Sequence, residues 1–221
     1  MIFELLFLTF TLATVIALVA ALVLLILRRR RSAFRAIAAT AVAWIAYLAT
    51  VAAIAATTPQ RVLAMNEDLC FDEMCFAVVD VRLARQLGPP NQSVKADGVF
   101  SIVSVRVSSH SRGRTQSEGG LRAKLWDGAH YCDVSAAGQK AYLATHAGSA
   151  PLTARLSPGK TVLSVQVFDM PFTQARDGSW QVSSLQLVLD HGFTPGYFVI
   201  GESPWFHKPT VIKLIPQGST T

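Results

Sequence analysis

The pattern of hydrophobic and polar positions divides the chain into two parts. Residues 3–27 are apolar on every side, with Glu4 as the one charge at their edge, and residues 37–56 contain neither charge nor proline. At about 1.5 Å per residue, an apolar helix needs roughly 20 residues to cross the hydrocarbon core of a bilayer. Both runs meet that length, so we predict a hairpin of two transmembrane helices over residues 1–56.

Two alternatives for the first run fit the sequence less well. A cleaved signal peptide would leave a single anchor, but it needs a basic start and an apolar core of about 7 to 15 residues. Here the chain starts Met1-Ile2-Phe3-Glu4 and the apolar core is far longer. A buried helix of a soluble protein would carry a polar stripe, and neither run has one.

The connector at 28–35 predicts how the hairpin is oriented. It carries five arginines and no acid, and a short basic loop between two spans stays in the cytoplasm. We therefore predict a multi-pass protein of the cell membrane, with residues 57–221 outside the cytoplasm and lipid headgroups as partners of the connector. The topology determinants are Arg28, Arg29, Arg30, Arg31 and Arg35.

The charge of the remaining chain excludes one class of partner. Residues 57–221 hold 15 basic and 13 acidic side chains, which leaves a net charge of +2. A domain so nearly neutral lacks the basic patch that nucleic-acid binding requires. The sequence therefore predicts no nucleic-acid partner.

Alanine is frequent in the second apolar run and falls into small-xxx-small pairs. Such pairs let helix backbones approach closely in lipid. We favour packing of these alanines against the first helix, and dimerisation through the same face is the alternative. The pairs are Ala39 with Ala43, Ala49 with Ala53, and Ala52 with Ala56.

Beyond residue 57 the pattern changes to short apolar runs separated by turn residues, which is typical of β-strands. We expect a linker at 57–65 and an all-β sandwich at 66–221 that folds without its anchor, because no long helix is available for parallel crossovers. Ser135 caps a predicted short helix at 136–144, and 108–120 is predicted to be an exposed, mobile loop. In 99–108 the valines alternate with polar residues, as in a half-buried strand. The candidate strands are 75–83, 99–108, 121–126, 152–156, 161–168, 185–189, 197–200 and 211–214.

One segment carries a family resemblance. The aromatic and acidic turn at 68–78, followed by Gly98-Val99-Phe100 and the strand 103–107, resembles the bacterial membrane-anchored or secreted immunoglobulin-like domains of unknown function. The resemblance covers 66–108 best and extends loosely to 204–209, and Ser108-Ser109 stands where that family has an asparagine. It implies an immunoglobulin-like sandwich and no established activity.

Three cysteines outside the cytoplasm predict one disulfide and one remaining thiol. Cys70 and Cys75 reach bonding distance if the chain turns through 71–74, and we favour this pair. Cys132 is the competing partner, and three reduced, buried cysteines are the alternative in a less oxidising space.

The sequence offers little catalytic or metal-binding chemistry. The stretch 201–205 begins like a nucleophile elbow but ends in Pro204-Trp205, and the set Ser203, His207 and Asp190 is of a kind that arises by chance. The histidines are scattered, and the acids of 67–73 lack the alternation of a calcium loop. No phosphate-binding glycine loop is present. We therefore predict no catalytic residue, no metal and no cofactor. The histidines are His110, His130, His146, His191 and His207, and the acids are Glu67, Asp68, Asp72 and Glu73.

Three classes of function fit these features. The first is a non-enzymatic binding or sensing module of the cell envelope. The second is an accessory subunit of a membrane complex, in which the alanine-rich hairpin contacts another membrane protein. The third, an envelope hydrolase, has the least support because its catalytic groups are missing.

Overall fold

The computed structural model describes residues 2–171, 185–190 and 208–215 of the chain. The chain forms two compact units. Of the described residues, 2–60 and 208–209 belong to the first unit, and 61–171, 185–190 and 210–215 belong to the second. The first unit contains the two apolar helices, and the second contains the β-sheets.

The first unit contains two long helices, α1 (Ile2–Ile26) and α2 (Arg30–Thr57). The α1 helix ends in a Schellman-type turn, in which Arg29 N–H donates to Leu24 C=O at 2.9 Å and Arg28 adopts a φ of 58°. The α2 helix begins at Arg30 and not at residue 37, because arginine is a good helix former. Three of the five connector arginines therefore lie on the first turns of α2.

Aromatic side chains hold the two helices together. Phe10 of α1 stacks on Tyr47 at a centroid distance of 5.1 Å and meets the edge of Trp44 at 4.9 Å. The indole Nε1 of Trp44 donates a hydrogen bond of 3.0 Å to Thr14 Oγ1. The small residue Ala33 is buried on α2, at the arginine end of the hairpin.

This packing leaves most of the paired alanines on the outside of the hairpin. Ala39, Ala43, Ala49 and Ala53 are all exposed, while the aromatic side chains occupy the contact between the helices. The prediction that these alanines pack against the first helix is therefore wrong. Interlocking rings, together with alanines other than the paired ones, such as Ala33, mark the buried face of α2.

Beyond the arginine end of the hairpin, both helices expose large apolar side chains, such as Val42 and Ile45 on α2. Leu8 and Ile26 expose 70% and 72% of their surface, and Leu5, Leu12 and Ile16 are also exposed. Both helices are long and apolar enough to cross a membrane.

The second unit contains nine described strands in two sheets. A five-stranded sheet has the order β1-β9-β8-β5-β6, and a four-stranded sheet has the order β2-β3-β4-β7. All neighbours pair antiparallel except β1 and β9, which are parallel. The strands are β1 (Val62–Leu63), β2 (Leu69–Phe71), β3 (Met74–Leu87), β4 (Val94–Ser109), β5 (Arg122–Trp126), β6 (Tyr131–Asp133), β7 (Thr161–Met170), β8 (Gln186–Asp190) and β9 (Val211–Lys213).

The main hydrophobic core lies between the two sheets. Phe76 and Phe168 of the four-stranded sheet belong to one buried cluster with Leu125, Leu187 and Ile212 of the five-stranded sheet. Alternate side chains of each strand point to one face, so each sheet contributes every second residue to this layer. The predicted β-sandwich architecture is confirmed.

A short helix, α3 (Ala136–Thr145), covers the other face of the four-stranded sheet. Its N-cap is Ser135, whose hydroxyl accepts a 3.2 Å hydrogen bond from Gly138 N–H, and the predicted capped helix is confirmed. Phe100 and Val167 are fully buried in the core beneath α3. The prediction of a half-buried strand at 99–108 is therefore wrong, because both faces of β4 are covered.

The helix also completes the outer edge of β7. The side-chain amide of Gln139 donates to Val165 C=O at 2.8 Å and accepts from Val167 N–H at 2.9 Å. Ser149 Oγ accepts a further bond from Val165 N–H at 2.9 Å. Gln139 thus replaces a neighbouring strand and removes a free sheet edge.

Some strand predictions differ from the structure. The segment 152–156 forms no strand and contributes one bridge, between Leu156 and Gln116, while Leu152 and Leu156 fill the core from a loop. Three strands that are only two or three residues long escaped prediction, namely β1, β2 and β6. The β1 strand lies in the expected linker and buries Leu63 in the core. The candidate strand at 197–200 falls outside the described residues.

Candidate functional site

The site begins with a disulfide-closed hairpin. Strands β2 and β3 place Cys70 directly opposite Cys75, and the structure joins them with a Cα–Cα distance of 4.0 Å. Antiparallel neighbours approach this closely at positions without mutual hydrogen bonds. Asp72, with a φ of 50°, lies in the turn between the strands. Cys70 is exposed and Cys75 is buried.

The third cysteine, Cys132, lies on β6 as a free, half-buried thiol. Burial raises the pKa of Cys132, and the nearby carboxylates of Asp127, Asp133 and Asp169 raise it further. The thiol therefore stays protonated at neutral pH, and a protonated thiol is a poor nucleophile and a poor metal ligand.

The loop after β4 is attached to this hairpin. His110 N–H donates to Glu73 C=O at 2.7 Å, and its imidazole Nδ1 lies 3.7 Å from Cys75 Sγ. Gln116 donates from its side-chain amide to the Glu73 carboxylate at 2.5 Å and exchanges two backbone hydrogen bonds with Leu156. The loop is therefore fixed to the hairpin and to the segment before β7.

The loop is also braced from within. Ser111 is buried, and its hydroxyl donates to Arg114 C=O at 2.8 Å. The predicted exposed loop at 108–120 is thus wrong at its start, since residues 108 and 109 belong to β4 and are buried. Within that range, residue 110 and the stretches 112–115 and 119–120 are exposed.

The hairpin and the loop line an open pocket of about 540 Å³. The hairpin supplies acids and the loop supplies arginines. In the part of the chain that the structure describes, the guanidinium groups of Arg112 and Arg114 have neither a hydrogen-bond nor an ion-pair partner, whereas Arg106 pairs with Asp68 at 3.2 Å. The pocket is lined by Asp72, Glu73, Arg112, Gly113, Arg114 and Gln116.

A second groove, of about 600 Å³, lies between β5, α3 and the segment 149–153. Its walls include Leu121, Leu143 and Leu152, and two of its polar groups, Gln139 and Ser149, already bond the edge of β7. Its lining is proportionally more apolar than that of the first pocket. We therefore take the pocket between the hairpin and the loop as the candidate site.

The predicted topology determinants lie together at the closed end of the helical hairpin. Arg28 and Arg29 form the turn, while Arg30, Arg31 and Arg35 lie on α2, and all five are exposed. The predicted disulfide partners Cys70 and Cys75 are brought together. The structure thus groups each of these two sets of residues.

The other predicted residues are dispersed. The acids of 67–73 are used separately: Glu67 accepts from Ala64 N–H, Asp68 pairs with Arg106, and Glu73 binds Gln116. No group of three potential metal ligands occurs among the described residues. Residues 191, 203 and 207 lie outside the described residues, so the structure does not test the set of Ser203, His207 and Asp190.

Sequence reasoning missed the two arginines of this pocket. The only signal was a polar stretch in which Arg112, Gly113 and Arg114 are consecutive. A stretch of this kind has no mechanism attached to it until the fold brings it next to the acids of the hairpin.

Comparison with known proteins gives little further information. No family model and no curated protein matches the chain. Three solved structures are similar to it, each with a TM-score of 0.42. A conserved hypothetical protein from Bacillus anthracis is 16% identical and covers 59% of this chain and 92% of its own. The yjhA protein from Bacillus subtilis is 14% identical, covering 69% and 99%. An uncharacterized β-sandwich protein from Clostridium difficile is 10% identical, covering 72% and 96%. This similarity is too low to assign a family.

Proposed function

We propose that the protein is a membrane-anchored binding module without catalytic activity, whose immunoglobulin-like sandwich lies outside the cytoplasm. The observation that carries the proposal is the exposed apolar surface of the helical hairpin. Leaving a whole Leu or Ile side chain in water forgoes about 1.5–3 kcal/mol of burial. Five such side chains that are 60–72% exposed therefore forgo on the order of 5–10 kcal/mol. That is comparable to the stability of a whole domain, and lipid removes the cost.

The arginines at the turn support the orientation. All five guanidinium groups are exposed at one end of the hairpin, and a short basic connector is retained in the cytoplasm. Both ends of the hairpin then face outward, and the sandwich follows the second helix. A disulfide between Cys70 and Cys75 agrees with this location, because disulfides persist in oxidising compartments.

The binding role is supported by the pocket between the disulfide hairpin and the arginine loop. It presents free charged groups on a loop that several hydrogen bonds hold in place. Because the backbone of this loop is already ordered, ligand binding costs little further backbone entropy. The groups lining it include no nucleophile adjacent to a base, which favours binding over catalysis.

The location is tested by fusing, after Thr221, a reporter that is active only outside the cytoplasm. We expect the reporter to be active and the chain to remain in the membrane pellet after an alkaline wash. Replacing all four arginines at positions 28–31 with Gln should give a mixed orientation of the chain in the membrane. The control Arg82→Gln, in the sandwich, should leave the orientation unchanged. A silent reporter, or release of the chain by the wash, would refute the proposal.

The exposed alanine face of α2 favours a second candidate, an accessory subunit of a membrane complex. Ala43 and Ala53 are exposed on the helix and would allow close approach of a partner helix. If so, the double variant Ala43→Leu and Ala53→Leu should no longer be crosslinked to a membrane partner, whereas the control Ala41→Leu should still be crosslinked. If the partner is retained by the double variant, the accessory-subunit role is rejected.

A further inference from the structure

The charges of the pocket come from two separate chain segments. Asp72 and Glu73 lie at the turn of the disulfide hairpin, and Arg112 and Arg114 lie on the loop after β4. The four side chains bring two negative and two positive charges to one pocket, so its lining has a net charge of zero. Within the described residues, the two guanidinium groups form no ion pair with either acid.

The lining is complementary to neither a simple anion nor a simple cation. A phosphate ion would meet the two arginines but also the two carboxylates, which repel it. An amine alone would be attracted by the two carboxylates but repelled by the two arginines. A molecule that carries both charges satisfies both halves of the pocket, since the planar guanidinium group binds carboxylate or phosphate oxygens and a carboxylate binds ammonium.

We propose that this pocket binds a zwitterionic ligand in which a phosphate or carboxylate group and a primary amine are close together. Arg112 and Arg114 contact the oxyanion, and Asp72 contacts the amine. Glu73 is held by Gln116 and forms the wall between the loop and the hairpin. The volume of about 540 Å³ lies in the range of small-molecule sites. This inference rests on the proposed role as a binding module and specifies its ligand.

The same chemistry occurs in two sources, namely a free small molecule and the headgroup of an amine-bearing phospholipid. The hydrogen bonds that brace the loop hold its backbone, and with it the Cα positions of the two arginines, in place before the ligand arrives. Charge-assisted hydrogen bonds to a guanidinium are among the stronger polar contacts in proteins. Each of the two charged halves of the pocket should therefore change the affinity by roughly tenfold.

The test uses the full chain in dodecyl maltoside, a neutral detergent, and isothermal titration calorimetry at neutral pH and constant ionic strength. Phosphoethanolamine, inorganic phosphate and ethanolamine are the probes. We expect phosphoethanolamine to bind roughly tenfold more tightly than phosphate, and ethanolamine to bind most weakly. The double variant R112Q/R114Q should lose phosphoethanolamine and phosphate binding. The control Arg82→Gln removes one positive charge from an exposed site on β3 and should change neither.

The variant Asp72→Asn separates the two halves of the pocket. Asparagine tolerates the positive φ at this turn position, so the fold should persist, and circular dichroism checks this. The preference for phosphoethanolamine over phosphate should disappear while phosphate binding is kept or strengthened. Dihexanoyl phosphatidylethanolamine then identifies the source: tighter binding than phosphoethanolamine supports a lipid headgroup, and weaker binding supports a free molecule.

Three results would overturn the inference. These are no saturable heat with phosphoethanolamine, equal binding by R112Q/R114Q, and a preference that survives Asp72→Asn. Each leaves the membrane fractionation untouched, so a chain that stays in the membrane pellet but fails these titrations keeps its anchor and loses only this ligand. Release from the membrane would refute the proposed function, whatever the titrations show.

Discussion

Replacing Gly138 with Ala probes the close contact of α3 with the four-stranded sheet. Helix propensity alone predicts that the change stabilises the protein by about 1 kcal/mol, since glycine is costly inside a helix. The structure predicts the opposite sign. A Cβ at this position would lie 2.9 Å from both Phe100 Cε1 and Val167 Cγ1, which is closer than van der Waals contact allows.

The magnitude follows from how little the neighbours can move. Phe100 and Val167 are fully buried on adjacent strands, so an added methyl group must displace either the helix or these two side chains. Overpacking of this kind costs about 1–3 kcal/mol. After the gain of about 1 kcal/mol in helix propensity, we expect a net loss of up to about 2 kcal/mol, which lowers the Tm of a domain this size by up to roughly 8 °C.

The assay is thermal and urea unfolding of the full chain in neutral detergent, followed by circular dichroism. The exposed neighbour Ala137→Gly is the matched control and should cost about 1 kcal/mol through propensity alone. In a double-mutant cycle, Gly138→Ala should cost less in the Phe100→Leu background than in the unchanged protein, because the smaller side chain makes room for the methyl group. A higher Tm for Gly138→Ala would show that α3 does not pack closely on this sheet and would refute the reasoning.

Three further predictions concern the sandwich. Gln139→Ala should lower the free energy of unfolding by about 1–3 kcal/mol in urea titrations, since two backbone groups of β7 lose their partner. Burial opposes ionisation of Asp127, but hydrogen bonds from backbone N–H groups of the β5–β6 turn outweigh burial and lower the pKa of this carboxyl. The ionised carboxylate therefore stabilises the fold at pH values above the ordinary pKa of aspartate. This stabilisation is lost as the pH falls through the lowered pKa. The stability difference between the protein and Asp127→Asn should accordingly be present at neutral pH and vanish in acid. Mass mapping without reduction should give one peptide across 68–78 that is lighter by two hydrogens, and a link from Cys75 to Cys132 would reject the pair of Cys70 with Cys75.

Several features of the fold follow from local sequence pattern. The two long apolar helices were predictable because every residue of each run shares one property and the backbone hydrogen bonds close within each helix. The capped helix after Ser135 was predictable for a similar reason, since both the cap and the helix formers lie within ten residues. Long strands such as β4 and β7 were visible as runs of β-branched and aromatic residues.

Features that depend on contacts between distant residues were not predictable. The two-residue strand β1 is too short for any period, and it exists because β9 lies beside Val62 and Leu63. A boundary placed at residue 66 would therefore remove a buried side chain from the core. The segment 152–156 has the composition of a strand, but among the described residues only Leu156 forms a β-bridge, with Gln116. The apolar residues of the segment therefore fill the core from a loop.

The candidate site shows the same division. Sequence alone was sufficient to mark Cys70 and Cys75, since only four residues separate them and a tight turn joins them. Which face of α2 meets α1 was decided by the side chains of another helix. The pocket likewise required the register that places Glu73 beside His110, which brings a plain polar loop next to an acidic turn. Local periodicity determines what each segment can form, whereas pairing across long stretches of chain determines which side chains meet.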